Sequence, residues 1–190
     1  MAVVLASGSP RRRELMEMFR IPELKIMPAD AEEAAPPGLD AEELVKFLAM
    51  QKAAATAKKC TEEDTVIGAD TVVDLDGRVL GKPENAAQAK KMLQMLSGRT
   101  HRVWTGVAVL RGKESVVEAE MTSVRFREMT EREINAYIAT GEPMDKAGAY
   151  GAQGIGSMFV ERIDGDFFNV MGLPVCRLGR ILNKMGVNLL

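Results

Sequence analysis

The stretch Ala2-Val3-Val4-Leu5-Ala6-Ser7-Gly8-Ser9-Pro10-Arg11-Arg12-Arg13-Glu14-Leu15-Met16-Glu17-Met18-Phe19 carries an apolar run into a turn and resumes at helical spacing with Leu15, Met16, Met18 and Phe19. It reads as strand, turn, helix. Ser9 suits the helix N-cap and Pro10 the first helical position, which puts Arg11, Arg12 and Arg13 in the first turn. That is the unfavourable end for cations, because a helix N-terminus already carries partial positive charge. Three arginines beside unsatisfied backbone N–H groups make sense if a multiply charged anion, such as a phosphate chain, sits there. The alternative is a solvated basic face whose side chains bend into water.

Working outward, the chain has 190 residues and no Pro/Gly/Ser-rich linker, which predicts one domain over 1–190. Its net charge is −2. A local basic cluster on a slightly acidic chain points to a small anionic ligand and away from polymeric nucleic acid, which selects a broadly basic surface. Cys60 and Cys176 stand outside any CxxC, so neither a disulfide framework nor a zinc knuckle is indicated, and reduced thiols suit a cytoplasmic location. The N-terminal apolar run is too short to cross a membrane, and its positive charges follow it, the reverse of a secretory signal. The thirteen methionines are scattered at core-like positions.

Further along, Leu24–Met27 is predicted as a short strand, followed by a polar loop through Asp30-Ala31-Glu32-Glu33 to Pro36-Pro37-Gly38. Asp40 with Glu43 forms a capping-box start for a helix over 41–59, whose stripe Leu44, Leu48, Lys52 leaves the lysine either at the rim or in a cleft. Thr65–Leu75 is a buried strand, Asp76-Gly77 a hairpin turn and Arg78–Leu80 the return strand, ending at Gly81-Lys82-Pro83. A helix over 86–96, an antiparallel pair at 103–110 and 115–126, and a helix from Thr130 to Gly141 follow. The segment 142–156 is irregular. A last hairpin is expected from Ser157–Ile163 and Phe167–Val170 about an Asp164-Gly165 turn, then a helix opened by Pro174. Hairpins mixed with helices imply an α/β fold with a mixed β-sheet flanked by helices, rather than a doubly wound parallel one.

Within Val66-Ile67-Gly68-Ala69-Asp70-Thr71-Val72-Val73, Asp70 interrupts an apolar strand. A buried aspartate needs a cation, a metal or hydrogen-bond donors, and Gly68 and Ala69 leave room for a ligand. Because Mg²⁺ takes one or two protein carboxylates plus phosphate oxygens and water, Asp70 with Glu32 or Glu33 would suffice. Lys52 and Lys82, with the arginine turn, could neutralise the charge that builds up in phosphoryl transfer. A lone histidine, His101, leaves little for histidine-based metal or Ser-His-Asp chemistry, and neither GxxxxGK[ST] nor a post-strand GxGxxG is present.

Ser7-Gly8-Ser9-Pro10-Arg11-Arg12, Gly68-Ala69-Asp70-Thr71-Val72-Val73, Gly81-Lys82-Pro83, Ser97-Gly98-Arg99-Thr100-His101, Glu142-Pro143-Met144-Asp145-Lys146-Ala147-Gly148-Ala149-Tyr150 with Gln153-Gly154, and Gly172-Leu173-Pro174 together resemble the Maf family of nucleoside triphosphate pyrophosphatases. They occur in order over essentially the whole chain. The resemblance implies a fold related to inosine triphosphate pyrophosphatases, with a cleft across the sheet. The Glu-Pro-Met-Asp-Lys-Ala-Gly-Ala-Tyr string with Gln153 resembles the branch that hydrolyses dTTP and UTP. By that resemblance Asp70 is the proton acceptor and a metal ligand, Glu33 a metal-associated carboxylate, and Lys52 and Lys82 phosphate-binding or charge-stabilising groups. Ser7, Asp145 and Lys146 join the substrate site, and one arginine of the Arg11-Arg12 pair, Thr71 and Gln153 set base specificity. Family members often carry Asp-Glu where this chain has Glu32-Glu33, which leaves open which glutamate matters.

The resemblance thus implies hydrolysis of dTTP and UTP, and of modified pyrimidine nucleotides, to the monophosphate and pyrophosphate, with Mg²⁺ or Mn²⁺ as cofactor. Its expected partners are the nucleotide and, at most, a second copy of the chain in a homodimer. The alternative is a nucleotide-binding regulator of septum formation, which would need the arginine turn but not Asp70. Placing Asp70 and Thr71 in one cleft requires a bulge or strand end near Ala69, since neighbouring strand residues face opposite ways. Gln153 matches the carbonyl and N–H edge of uracil or thymine, unless it only pins its own loop.

Overall fold

In the computed structural model the described residues are 1–30, 34–187 and 189. The apolar start forms strand β1 (Val3–Leu5), every residue of it buried, with parallel neighbours on both sides: β2 (Leu24–Ile26) and β3 (Thr65–Leu75). A strand with neighbours on both edges and cover on both faces is continuously apolar, as this one is. Asp64 fixes its start, accepting from the Ala2 N–H at 2.8 Å and from both donors of Thr61. The Ala2 and Thr61 N–H groups, helped by the Thr61 hydroxyl, pull the Asp64 carboxyl down to about 2.

Helix α1 (Pro10–Glu17) begins at Ser9, whose hydroxyl accepts from Arg12 N, and α2 (Ala41–Ala57) begins with the expected Asp40/Glu43 capping box. Strand β4 (Arg78–Leu80) returns antiparallel on β3. After it come α3 (Ala86–Leu96), β5 (Thr100–Arg111), β6 (Glu114–Phe126), α4 (Glu131–Ala139), β7 (Val160–Asp164), α5 (Phe167–Met171) and α6 (Val175–Lys184). The seven-stranded sheet has the order β2-β1-β3-β5-β6-β7, with β4 on β3. It is mixed, as expected.

The chain divides into two compact units, one of residues 1–70, 105–120 and 172–190, the other of residues 71–104 and 121–171. In the first, Val4, Val66 and Ala108 pack with Ala49 and Ala53 of α2. The small helix residues match two glycines beneath them. A Cβ at Gly68 would meet the Ala49 carbonyl and the Ala53 N–H, and one at Gly106 would meet the Val45 carbonyl. Val45, Ala49 and Ala53 recur every four residues, so one helix face lies directly on strand backbone. In the second unit Leu93, Leu96, Phe126, Ile134 and Phe159 form the core, with His101 and Tyr150 inside it. The His101 Nε2 lies 2.8 Å from the Tyr150 hydroxyl, and both rings meet Phe126 edge-on. Burial pushes the His101 imidazole down to about 4.

The expected closing hairpin is corrected. Only Val160–Asp164 is a strand, and it pairs antiparallel with β6 (Ser123 opposite Asp164), while Phe167–Met171 is a helix. Polar bonding outweighs the apolar pattern there. Asp166 accepts from Phe168 N at 2.8 Å and exchanges bonds with the Thr122 hydroxyl, and fully buried Asn169 donates to the Val103 carbonyl and to Thr122. A helical turn brings Asn169 round to partners that an extended strand would leave it without. Among the described residues no helix is long and apolar enough to cross a membrane.

Gly68→Ala is expected to lower stability by about 2 kcal/mol or more through backbone collision. Gly179→Ala, in the open interior of α6, should instead raise it by roughly 0.5 kcal/mol; urea midpoints of the two variants make the comparison. Because the unfolded chain protonates His101 near 6.5 and the folded one only near 4, stability should fall as pH drops through that window and stay flat above it. Urea titrations at pH 7 and pH 5 test this, with His101→Gln expected to flatten the difference.

Candidate active site

Strand β3 runs continuously through Ala69, so of the bulge or strand end that would bring Asp70 and Thr71 into one cleft the strand end is absent. It pairs with β1 as far as Ile67 and with β4 from Val73 onward. Asp70 is two residues beyond Gly68 and shares its face, the one covered by α2. There Lys52, one residue before Ala53, places its Nζ 2.6 Å from Asp70 Oδ1, with the two side chains only 13% and 10% exposed. This settles where the Lys52 ammonium points. The other buried aspartate of the strand, Asp74, accepts from Gly77 N at 2.8 Å and is occupied with the hairpin turn.

The three arginines have three fates. Arg13 pairs with Glu17 on the exposed helix face at 2.7 Å, the solvated behaviour. Arg12 turns inward: its Nε donates to the Gly172 carbonyl at 2.7 Å, and its Nη1 donates to the Ala69 carbonyl at 2.8 Å and to the buried Ser7 hydroxyl at 3.3 Å. The residue preceding Asp70 is therefore held by Arg12. Arg11 is half-buried and makes no hydrogen bond or ion pair with any described residue, so its guanidinium is available to an anion.

In the second unit, Lys82 is exposed and unpaired among the described residues, and the carbonyl of Gly81 before it accepts from Gly148 N at 3.0 Å. That bond joins the Lys82 turn to the loop holding Asp145, Lys146 and Gln153. Lys146 is engaged inside this loop, donating to the Glu142 carbonyl at 2.8 Å and to Asp145 at 2.6 Å. Gln153 is exposed and bonds to none of the described residues, so it does not pin the loop. Thr71 is half-buried on β3. Glu142 does the pinning. Its carboxylate accepts from the Tyr137 hydroxyl and from the N–H groups of Ile155 and Gly156. Partial burial opposes its ionisation, but those donors outweigh burial and hold the carboxyl below its usual range. The sequence assigned Glu142 and Tyr137 no role, and the available signal was the glycine spacing 151, 154, 156.

Glu33, expected to bind metal, lies with Ala31 and Glu32 outside the described residues. Among those described, no group of three or more His, Cys, Asp or Glu side chains gathers as a metal cage. Asp70 nonetheless fits a hard cation of the Mg²⁺ type, for which one or two carboxylates suffice when phosphate oxygens complete the shell.

A Maf-like protein family model matches residues 2–185. The chain belongs to the Maf family. Among Maf relatives, the dTTP/UTP pyrophosphatase of Bacillus cytotoxicus is 50% identical over 181 residues, 95% of this chain and 94% of its own, and that of Bacillus cereus is 48% identical over 186 residues, 98% and 96%. The Ham1 protein of Staphylococcus aureus superposes with a TM-score of 0.55 at 18% identity over 97% of this chain and all of its own. A HAM1 protein from Coxiella burnetii gives 0.53 at 17%, over 97% and 99%. These Maf-to-Ham1 likenesses are likenesses of fold.

Arg12→Ala should destabilise the protein by about 2 kcal/mol, since it leaves the Ala69 and Gly172 carbonyls short of donors. Arg11→Ala should stay within roughly 0.5 kcal/mol of the parent while weakening triphosphate binding. Thermal unfolding and nucleotide titration of the two variants check the division of labour.

Proposed function

We propose that this protein hydrolyses dTTP and UTP, and modified pyrimidine nucleoside triphosphates, to the monophosphate and pyrophosphate. The observation that carries the reading is the near full-length identity of about half to relatives named dTTP/UTP pyrophosphatase. The buried Asp70–Lys52 pair supports it, as a carboxylate where an apolar strand otherwise excludes charge.

Asp70 accepts a proton from water as the water oxygen bonds to the α-phosphorus. The bond from that phosphorus to the α,β-bridging oxygen breaks, and its electron pair leaves with pyrophosphate. Lys52 holds Asp70 in place and offsets charge beside it. Arg11 takes phosphate oxygens, and Lys82 adds a second cation by its family motif. Arg12, whose Nη1 also donates to the Ser7 hydroxyl, holds the Ala69 carbonyl and so fixes the backbone beside Asp70. Asp70 and, by the family resemblance, a glutamate of the 32–33 pair would hold Mg²⁺ or Mn²⁺, which when bound would neutralise phosphate charge. Gln153 reads the pyrimidine edge, and a purine leaves that amide unmatched. The two free cysteines, Cys60 and Cys176, suit work in the cytoplasm.

Incubation with a nucleotide panel and Mg²⁺ or Mn²⁺ should yield UMP and pyrophosphate from UTP, with dTTP and UTP preferred over GTP. UDP with inorganic phosphate, or no turnover with either metal, would overturn the assignment. Asp70→Asn should lower kcat about 10³-fold while leaving the fold intact.

A further inference from the structure

Gln153 sits within a segment whose two sides are tied to one carboxylate and one phenol. On its N-terminal side, Gly151 N donates to the Tyr137 hydroxyl at 3.1 Å, and that hydroxyl donates to Glu142 Oε1 at 2.8 Å. On its C-terminal side, Ile155 N donates to Glu142 Oε2 at 2.8 Å and Gly156 N to Oε1 at 3.1 Å. The chain around Gln153 is thus a small arch whose feet share a single anchor. The anchor is itself held, because Lys146 donates to the Glu142 carbonyl at 2.8 Å and Tyr137 is buried against Phe159 with ring centroids 5.2 Å apart.

The glycines follow from this closeness. A Cβ at Gly154 would lie 2.5 Å from Glu142 Oε2, and one at Gly156 would lie 2.6 Å from the Tyr137 hydroxyl. The chemistry requires a carboxylate at 142. Both oxygens face backbone donors, so a glutamine would turn its N–H₂ toward either the Ile155 N–H or the Gly156 N–H, replacing attraction by donor-donor opposition.

We propose that Glu142, through Tyr137, is the positioning residue that sets the base selectivity of this enzyme by fixing the backbone on both sides of Gln153. Glu142 touches no substrate. It acts by removing the freedom of the arch, so that the Gln153 amide is oriented before a base arrives and discriminates between edges. The inference rests on the reading of Gln153 as the base-reading side chain.

The test compares Glu142→Gln, Tyr137→Phe, Gln153→Ala and the double variant Glu142→Gln/Gln153→Ala, with kcat/KM for UTP and GTP, far-UV circular dichroism, and amide exchange at Gly151, Ile155 and Gly156. Glu142→Gln should speed exchange at Ile155 and Gly156 and lower kcat/KM for UTP about tenfold through KM, leaving GTP within about twofold. The double variant should be no worse than Gln153→Ala, since residues acting as one unit are non-additive. Tyr137→Phe should speed exchange at Gly151 with a smaller loss of selectivity, and it carries the test should Glu142→Gln not fold. Equal losses for UTP and GTP, or a selective Gln153→Ala beside an unselective Glu142→Gln, would overturn the positioning role. An unchanged UTP/GTP ratio in Gln153→Ala would remove the base-reading role, and the positioning role with it.

Discussion

The distance between α2 and the sheet governs the chemistry of the first unit. Two glycines, Gly68 and Gly106, let the backbone of the helix rest on the backbone of β3 and β5, closer than any side chain would allow. Only at that separation can Lys52, on a helix, meet Asp70, on a strand, at 2.6 Å. Desolvating both charges is costly, and geometry this close, with a fixed partner on each side, is what makes the pair tolerable inside a core. The Asp70 carboxylate thus owes its position to residues without side chains.

Charge is used differently by neighbours in the same turn. Arg11, Arg12 and Arg13 differ only by rotation about one helix, yet that rotation separates an available cation, an internal clamp and a solvated ion pair. A single reading for all three cannot hold, because successive helical residues point about 100° apart. The inward arginine is the one whose planar fork reaches two carbonyls at once, which a lysine could not reproduce.

Much of this was legible in the chain. Ser9-Pro10 and Asp40/Glu43 announced helix starts because capping is local, and Asp76-Gly77 announced its turn for the same reason. Asp70 stood out because a charge in an apolar strand conflicts with its surroundings. What failed was long-range. Phe167–Val170 resembled a strand, but its conformation is set by Asn169 and Thr122, which are 47 positions apart in sequence. The inward turn of Arg12 depends on carbonyls at positions 69 and 172, and backbone carbonyls leave no mark in a sequence. Glu142 was visible as part of a motif, yet its task depends on where Tyr137 and three N–H groups lie in space.

The clamp made by Arg12 also bears on how the protein is born. Its guanidinium joins a turn near the N-terminus to Ala69 and to Gly172, a contact spanning 160 positions. The first unit is drawn from three separated stretches, the last beginning at Gly172. During synthesis, β1, α1 and α2 leave the ribosome long before the segment that completes their packing, and contacts closing so long a loop form late. Until then Arg12 lacks its C-terminal acceptor and the Ala69 edge lacks its finished clamp. Asp70 therefore acquires its final surroundings only when the chain is nearly complete, so the nascent protein passes through most of its synthesis before the backbone beside that carboxylate is fully held.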